Sequence, residues 1–236
     1  MKKTLLALSA ALAATAVPTI ASAQLAFNVA ATTDYRYRGV SQSRLKPAVS
    51  AGVDYGAGAF YAGAWASSIK WVEDGGGDGN IELDLYGGFK GELSKGVGYD
   101  VGILAYVYPG NDLPTSANTT ELYGAVTFGP ATLKYSHSLT NLFGFADSKN
   151  SGYLDLSATL PAGPVSITPH IGYQKVRGTG NDPFSYTDYS LTVAYEVATG
   201  LTLSGAVIGT DNKKYVSPAG KNLGKSALVV GIKYAF

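Results

Sequence analysis

The sequence predicts an all-β protein, namely a single antiparallel, up-and-down transmembrane β-barrel of about 12 strands. Three observations predict this class. Short segments alternate between apolar residues and polar or small residues, turn residues separate them, and the connections are alternately short and long. No apolar run of about 18 residues follows the first 23 residues, so the sequence predicts no transmembrane helix there. Alternating segments of about ten residues are instead typical of barrels that cross a membrane with strands.

Residues 1–23 have the features of a cleaved signal peptide. Lys2 and Lys3 give a positive start, the apolar run 4–17 follows, and small residues at its end match a cleavage site. The apolar run is too short for a membrane anchor, which requires about 20 residues. We therefore expect export in a Gram-negative bacterium and a single mature domain over residues 24–236.

Composition separates this chain from soluble enzymes and from nucleic-acid-binding proteins. Charged residues make up 15% of the chain, against about 25% in a typical soluble domain. Glycine (30) and tyrosine (17) are abundant, and cysteine is absent. Loss of Lys2 and Lys3 with the signal peptide reduces 18 basic residues to 16, against 17 acidic ones. The mature chain therefore has no basic surplus for binding nucleic acid.

The alternation is clearest near the C-terminal end of the sequence. Leu228, Val230 and Ile232 share one face, whereas small residues and Lys233 occupy the other. Because successive side chains of a strand point to opposite faces, this pattern predicts a strand with one apolar face. A soluble β-sandwich alternates in the same way, so periodicity alone leaves that alternative open. Predicted strands lie at 25–34, 47–55, 58–68, 80–90, 97–108, 119–128, 131–138, 151–160, 164–174, 187–197, 200–210 and 226–236.

The connections between these strands favour the barrel over the sandwich. Short turns at one end and longer loops at the other are typical of outer-membrane barrels. An even number of strands also places both ends of the domain at the short-turn end, which would be periplasmic. The short turns are 56–58, 91–96, 129–130, 161–164 and 199–200, and the long connections are 36–46, 70–79, 109–118, 139–150, 175–186 and 211–225.

Aromatic residues near the strand ends predict two girdles at the lipid interfaces. General enrichment of tyrosine in strands explains part of this distribution. The expected periplasmic girdle is Tyr55, Tyr61, Tyr99, Phe128, Tyr195, Tyr234 and Phe236. The expected outer girdle is Tyr35, Trp71, Tyr106, Tyr108, Tyr173 and Tyr189.

Several motifs are distributed over nearly the whole predicted mature chain. They are DYRYRGVSQ at 34–42, YAGAWAS at 61–67, ELDLYGG at 82–88, the segment 100–109, TELY at 120–123 and YAF at 234–236. With these motifs the chain resembles the TorF-type porin family of proteobacterial outer membranes. The resemblance implies a membrane barrel, an outer-membrane location and a porin-like role. The terminal aromatic residue also resembles the signal that the barrel-assembly machinery recognises.

Charged residues on the inward face of the predicted strands are candidates for lining a pore. Rings of charge select ions, and acidic rings favour cations, so we expect a modest cation preference. An alternative is that cross-strand acid–base pairs hold the barrel together and fill it. Barrels of about 8 strands are filled by side chains and barrels of about 16 enclose a channel, so the strand number leaves both open. The candidates are Asp54, Glu82, Asp84, Asp100, Glu121, Lys134, Asp155, His170, Glu196 and Lys233.

Arg36 and Arg38 are candidates for the outer mouth of the barrel, where they lie close to Asp34 in the chain. Their charge could attract anionic solutes, which would oppose the cation preference. It could also bind lipopolysaccharide phosphates if the side chains turn outward. The interpretation that we favour is a solvated pair of loop arginines.

No catalytic or metal-binding motif stands out in the sequence. The two histidines, His137 and His170, have no nucleophile–base partner at the strand spacing that a hydrolase requires. The segment 74–80 is rich in aspartate and glycine but lacks the ligand spacing of a calcium loop. We therefore expect no enzymatic activity, no cofactor and no resident metal.

The sequence thus predicts an outer-membrane channel for passive diffusion of small hydrophilic solutes or ions. Its expected partners are outer-membrane lipids and lipopolysaccharide, the solutes themselves and, during biogenesis, the barrel-assembly machinery; nucleic acid is not among them. Three alternatives remain open. They are a closed barrel with a structural or scaffold role, an outer-membrane hydrolase and a soluble periplasmic β-sandwich.

Overall fold

The computed structural model describes residues 23–236, which form a closed antiparallel β-barrel of 12 strands. The predicted fold class is therefore confirmed. The predicted signal peptide, except for Ala23, lies outside the described residues. None of the helices within residues 23–236 is long and apolar enough to cross a membrane.

The barrel strands follow one another around the ring in sequence order. One wall strand is divided at Thr159 into β10 and β11, and both parts pair with β12. The short strands β2 and β3 form a separate hairpin. The elements are β1 (Gln24–Thr32), β2 (Arg36–Tyr37), β3 (Val40–Ser41), β4 (Ala48–Ala57), β5 (Phe60–Ser68), α1 (Trp71–Asp74), β6 (Ile81–Ser94), β7 (Val97–Val107), β8 (Thr119–Phe128), β9 (Ala131–Ser138), β10 (Gly152–Ala158), β11 (Leu160–Ala162), β12 (Val165–Lys175), a 3-10 turn (Asp182–Phe184), β13 (Tyr186–Ala198), β14 (Leu201–Thr210) and β15 (Ala227–Ala235).

Pairing of the first strand with the last closes the barrel. β1 runs antiparallel to β15, from the pair Asn28–Ala235 to the pair Thr32–Gly231. Phe236 extends this pairing with backbone hydrogen bonds of 2.8 and 3.0 Å to β1. The sheet therefore has no open edge on which another chain could pair. With neighbouring strands connected in order, the topology is that of an up-and-down barrel.

The β6–β7 hairpin differs from its prediction. β6 extends to Ser94, so the expected turn at 91–96 is reduced to Lys95 and Gly96. Gly96 has a φ of 80°, which glycine adopts without a steric penalty. The Gly96 N–H also donates a hydrogen bond of 2.7 Å to the Glu92 carboxylate. A two-residue turn with a glycine at positive φ therefore replaces the longer connection.

The outward face of the barrel is apolar along most strands. Leu156, Leu191 and Val207 point outward from central positions of their strands and expose 47%, 51% and 50% of their surface. Polar and charged side chains of the same strands point inward. A continuous exposed apolar band is not expected on a surface that faces water, and it matches the lipid-facing band of membrane barrels.

The predicted aromatic girdles are found in part. At the short-turn end, Tyr61 points into the lumen, whereas the other predicted members lie on the outward face. At the long-loop end, Tyr173 and Tyr189 face outward, but the prediction is wrong for the other four residues. Tyr106 and Tyr108 share the inward face of β7 and its extension. Tyr35 and Trp71 lie between barrel strands, where strand alternation does not predict the direction of a side chain. The four buried or loop-packed residues are Tyr35, Trp71, Tyr106 and Tyr108.

A charge placed on the outward face should destabilise the barrel. We expect Leu191→Arg to lower the free energy of unfolding by about 2–4 kcal/mol, because the guanidinium would lie near the centre of the apolar band. Urea unfolding of the protein in lipid vesicles measures this difference. Ala219→Arg in the exposed β14–β15 connection is the matched control, and equal effects of both variants would contradict a lipid-facing band.

Candidate functional site: the barrel lumen

Hydrogen bonds from tyrosines to carboxylates build one wall of the lumen. The Tyr86 hydroxyl on β6 donates to Asp54 Oδ1 on β4 at 2.6 Å. The Tyr61 hydroxyl on β5 donates to Asp100 Oδ1 on β7 at 2.5 Å and also contacts the Tyr123 hydroxyl. Both bonds to carboxylates pass over an intervening strand. The network therefore connects strands that share no backbone hydrogen bonds.

Two lysines lie over rings of this wall. Lys134 Nζ is 4.0 Å from the ring centroid of Tyr123, and Lys90 Nζ is 5.2 Å from that of Tyr61. An ammonium group over an aromatic face is attracted by the ring quadrupole. Basic side chains thus contact the tyrosine layer without closing hydrogen-bonded ion pairs to its carboxylates.

Glycines on the inward face make room for the tyrosine rings. Gly63 is the cross-strand partner of Tyr86, and Gly102 is that of Tyr123. A Cβ atom on either glycine would lie 2.5 Å from atoms of its tyrosine, closer than packed carbon atoms come. Each ring therefore lies across the neighbouring strand at a position that only glycine leaves open.

A second polar cluster occupies the opposite part of the wall. His170 Nε2 on β12 lies 2.6 Å from Asp155 Oδ2 on β10, and His170 Nδ1 lies 3.6 Å from Asp188 Oδ1 on β13. The Tyr153 hydroxyl donates to Asp188 Oδ2 at 3.0 Å. Asp188 is not among the candidates that the sequence predicts, although it lies within the predicted strand 187–197 and has the inward parity of β13.

The surroundings of the two histidines differ from those expected of a hydrolase site. His170 is paired in register with Ser157 and Ser190, but both of its ring nitrogens face carboxylates, so the imidazole activates neither hydroxyl. His137 lies on the outward face of β9, where Nε2 is 3.2 Å from Asn150 Oδ1. Within residues 23–236, no group of three or more His, Cys, Asp or Glu residues is arranged to hold a metal ion.

Two predicted acidic residues lie close together on the inward face of β6. Glu82 is 1% exposed, and its carboxylate accepts hydrogen bonds from the Tyr35 and Tyr108 hydroxyls at 2.5 and 2.8 Å. The neighbouring Asp84 has a buried Oδ1 atom that finds no hydrogen-bond partner within the described part of the chain. This side of the lumen therefore holds more carboxylate oxygens than donors.

Two further candidates lie at the short-turn end. Glu196 Oε1 accepts a hydrogen bond of 2.8 Å from the Gly200 N–H, so this carboxylate supports the β13–β14 turn. Lys233 points inward from β15 and is half-buried. The structure thus places Glu196 at a turn and Lys233 on the lumen wall.

Loop 1, which we define as residues 33–47, folds into the long-loop end of the barrel and crosses it. Arg38 donates from Nη1 and Nη2 to Glu121 Oε1 and Oε2 at 3.1 and 2.7 Å, and from Nη1 to Gln174 Oε1 at 2.5 Å. Loop 1 connects β1 to β4, whereas Glu121 and Gln174 belong to β8 and β12 on the far side of the ring. We call these three side chains the Arg38 bridge.

The Arg38 bridge is buried and charged. The side chains of Arg38 and Glu121 are 6% and 3% exposed, and the Arg38 guanidinium lies 4.1 Å from the ring centroid of Tyr153. Burial has the largest single effect and lowers the pKa of the guanidinium, but Glu121, Tyr37 and Tyr106 together raise it by more, so the pKa lies above its ordinary value. A two-bond arginine–carboxylate pair also fixes the orientation of both groups.

The prediction of a solvated pair of loop arginines is therefore wrong for both members. Arg36 is 7% exposed; its Nε donates to Asp34 Oδ2 at 2.6 Å and its Nη1 to the Leu223 carbonyl at 3.0 Å. Gly39 explains why the loop packs inward. A Cβ atom there would lie 2.7 Å from Asp188 Cβ, so only glycine allows this contact with the wall.

The chain is a closed 12-stranded barrel with an apolar outer face and a polar lumen, and its fold matches that of solved porins. Among solved structures, a KdgM porin is 8% identical, with a TM-score of 0.60 over 89% of this chain and 99% of that chain. A KdgM porin in complex with disordered oligogalacturonate is also 8% identical, with a TM-score of 0.59 over 91% of this chain and 99% of that chain. A NanC porin is 10% identical, with a TM-score of 0.59 over 88% of this chain and 98% of that chain.

The chain belongs to the family described as bacterial protein of unknown function (Gcw_chp), whose model matches residues 16–236. A search of curated proteins finds no match. The predicted resemblance to porins is thus confirmed at the level of the barrel, and the family that the sequence match shows is Gcw_chp.

A methyl group at Gly63 should disrupt the tyrosine wall. We expect Gly63→Ala to lower the free energy of unfolding by about 1–3 kcal/mol, because the Tyr86 ring must move away from Asp54. Gly124→Ala is the matched control, since a Cβ atom there meets only Val101 at 3.9 Å. Urea unfolding in lipid vesicles compares the two, and an equal response would show that the rings are not packed on the glycine.

Proposed function

We propose that this protein is an outer-membrane channel through which small hydrophilic solutes or ions diffuse passively. The observation that supports this most directly is a polar, charged lumen inside a barrel with an apolar outer face. Burying so many ionisable groups in a dry, filled interior would cost free energy, and a hydrated conduit lowers that cost for half-buried groups such as Asp54, Asp100 and Lys233. Solutes would move down their own gradients, without cofactor or chemical step.

The proposal includes the cellular setting that the sequence predicts. The signal peptide at residues 1–23, the outer membrane of a Gram-negative bacterium, contacts with lipopolysaccharide and insertion by the barrel-assembly machinery belong to it, as does the TorF-type assignment. One similar solved structure is described as a porin in complex with an oligogalacturonate, which supports small-solute passage for this fold.

We further propose that the lumen prefers cations. Acidic side chains on the lumen wall outnumber basic ones, and acidic rings raise the local concentration of cations. Most of these carboxylates accept hydrogen bonds from tyrosines, which do not neutralise them. The acidic wall residues are Asp54, Glu82, Asp84, Asp100, Glu121, Asp155 and Asp188, and the basic residues are Lys90, Lys134 and Lys233 on the wall and Arg38 on loop 1.

A reversal potential tests the charge preference. In a planar bilayer with a KCl gradient, we expect the sign that corresponds to K⁺ passing more readily than Cl⁻. Asp54→Asn and Asp100→Asn should move the reversal potential towards zero, because an amide oxygen still accepts the tyrosine hydrogen bond but carries no charge. Glu196→Gln, in the β13–β14 turn, should leave it unchanged. Chloride preference in the unmodified protein would refute the proposal.

A closed barrel with a scaffold role is the second candidate, and the Arg38 bridge favours it. Loop 1 crosses the lumen between walls on opposite sides, so the conformation described here is constricted at its long-loop end. A channel therefore requires either narrow gaps beside loop 1 or its displacement. In a scaffold, loop 1 would be a permanent part of the interior.

Conductance of bridge variants separates the two functions. We expect Arg38→Ala and Glu121→Gln to raise the single-channel conductance, because each removes the charge-assisted attachment of loop 1 to the far wall. Arg44→Ala removes an equal charge from the same loop, where Arg44 pairs with Asp74, and should have no effect. If the unmodified protein and both bridge variants insert fully but conduct no current, the scaffold function is correct.

A further inference from the structure

The long-loop end of the barrel contains a cavity of about 310 Å³, which we call the vestibule. Arg38 and Gln174 line it towards the lumen. Its walls come from separate parts of the chain, with Trp71 of α1, Phe143 of the β9–β10 connection and Tyr215 of the β14–β15 connection among them. The volume lies at the lower end of the range for small-molecule sites, which are concave and mostly apolar.

Contacts among the loops hold the aromatic walls of the vestibule in place. Phe143 meets Tyr37 of loop 1 edge to face, with ring centroids 5.6 Å apart. Trp71 meets Tyr108 in the same way at 5.0 Å. The Tyr215 hydroxyl donates to the Phe184 carbonyl at 2.8 Å. Because these rings are ordered before a ligand arrives, a ring-shaped apolar group can bind between them at little further entropic cost.

The charges around the vestibule leave an excess of positive charge. Arg38 is paired with Glu121, and Asp74 is paired with Arg44. Lys214 also lines the vestibule, and it takes part in none of the ion pairs found within residues 23–236. A ligand that complements this surface therefore carries an apolar ring and a negative charge.

We propose that the vestibule binds small ring-bearing organic acids. The ring lies against the aromatic walls formed by Trp71 and Phe143, and the carboxylate lies at Lys214. Most of the affinity comes from burial of the apolar ring. The exposed lysine selects the sign of the charge and adds a smaller share. Binding does not require an open lumen, so this inference stands apart from the proposed channel function.

Tryptophan fluorescence tests the site in folded protein in detergent. The chain has two tryptophans, and Trp65 packs on Tyr35 within the barrel, 5.4 Å between ring centroids. Trp65→Phe therefore leaves Trp71, in the vestibule wall, as the only indole. Cyclohexanecarboxylate is the probe, because it does not absorb at the excitation wavelength. Cyclohexanemethanol, cyclohexylamine and acetate form the matched set that varies charge and ring separately.

We expect a saturable change in Trp71 fluorescence with cyclohexanecarboxylate. Acetate should bind at least about tenfold more weakly, because it lacks the ring. The alcohol should bind about two- to fivefold more weakly than the acid, because a single exposed cation such as Lys214 contributes little to affinity. The amine should bind more weakly than the alcohol, because its charge is repelled by Lys214. Lys214→Gln, on the surface and therefore compatible with folding, should remove the difference between acid and alcohol.

Three results would overturn the proposal. They are the absence of a saturable change in folded protein, equal or tighter binding of the amine, and an unchanged preference for the acid in Lys214→Gln. Phe143→Ala gives an independent check on the ring contact, because it should weaken the binding of cyclohexanecarboxylate and of cyclohexanemethanol by the same factor. Conductance measurements address the channel separately, so failure of one proposal is distinguishable from failure of the other.

Discussion

The hydrogen-bonding requirement of the backbone in an apolar environment is the constraint on which this structure depends. An unpaired peptide group in hydrocarbon costs several kcal/mol, so strands with apolar outward side chains need a sheet without edges. The pairing of β1 with β15 supplies this closure. Once the ring is closed, alternation gives each strand a single inward set of side chains. The polar chemistry of the protein is therefore concentrated in the lumen.

The high glycine and tyrosine content follows from how that lumen is filled. A tyrosine on one strand lies across the next strand, where a glycine leaves room for its ring, as for Tyr86 and Gly63. The hydroxyl then reaches a carboxylate one strand further on, such as Asp54. This arrangement gives buried carboxylates their donors without adding basic residues.

The Arg38 bridge connects the fold to two proposals, the channel and the ligand site in the vestibule. Much of the attraction within a buried ion pair is offset by the cost of removing both charges from water. The bridge therefore contributes less to the stability of the barrel than to the position of loop 1, which it holds across the lumen. Two of its members, Arg38 and Gln174, also line the vestibule, so a molecule bound there would lie directly beside the element that constricts the lumen.

The sequence by itself determined the barrel, a strand number of about 12, most strand boundaries and the inward position of the wall acids other than Asp188. It did so because alternation and turn residues are local signals, and because one residue of slippage would expose every charge to the apolar side. Only the tertiary structure decided what the loops do. Arg36 and Arg38 have no periodicity around them, so nothing local distinguishes a solvated loop from one folded inward against Glu121 and Gln174. Such contacts join residues that are distant in the chain, and they exist only after the barrel has closed around them.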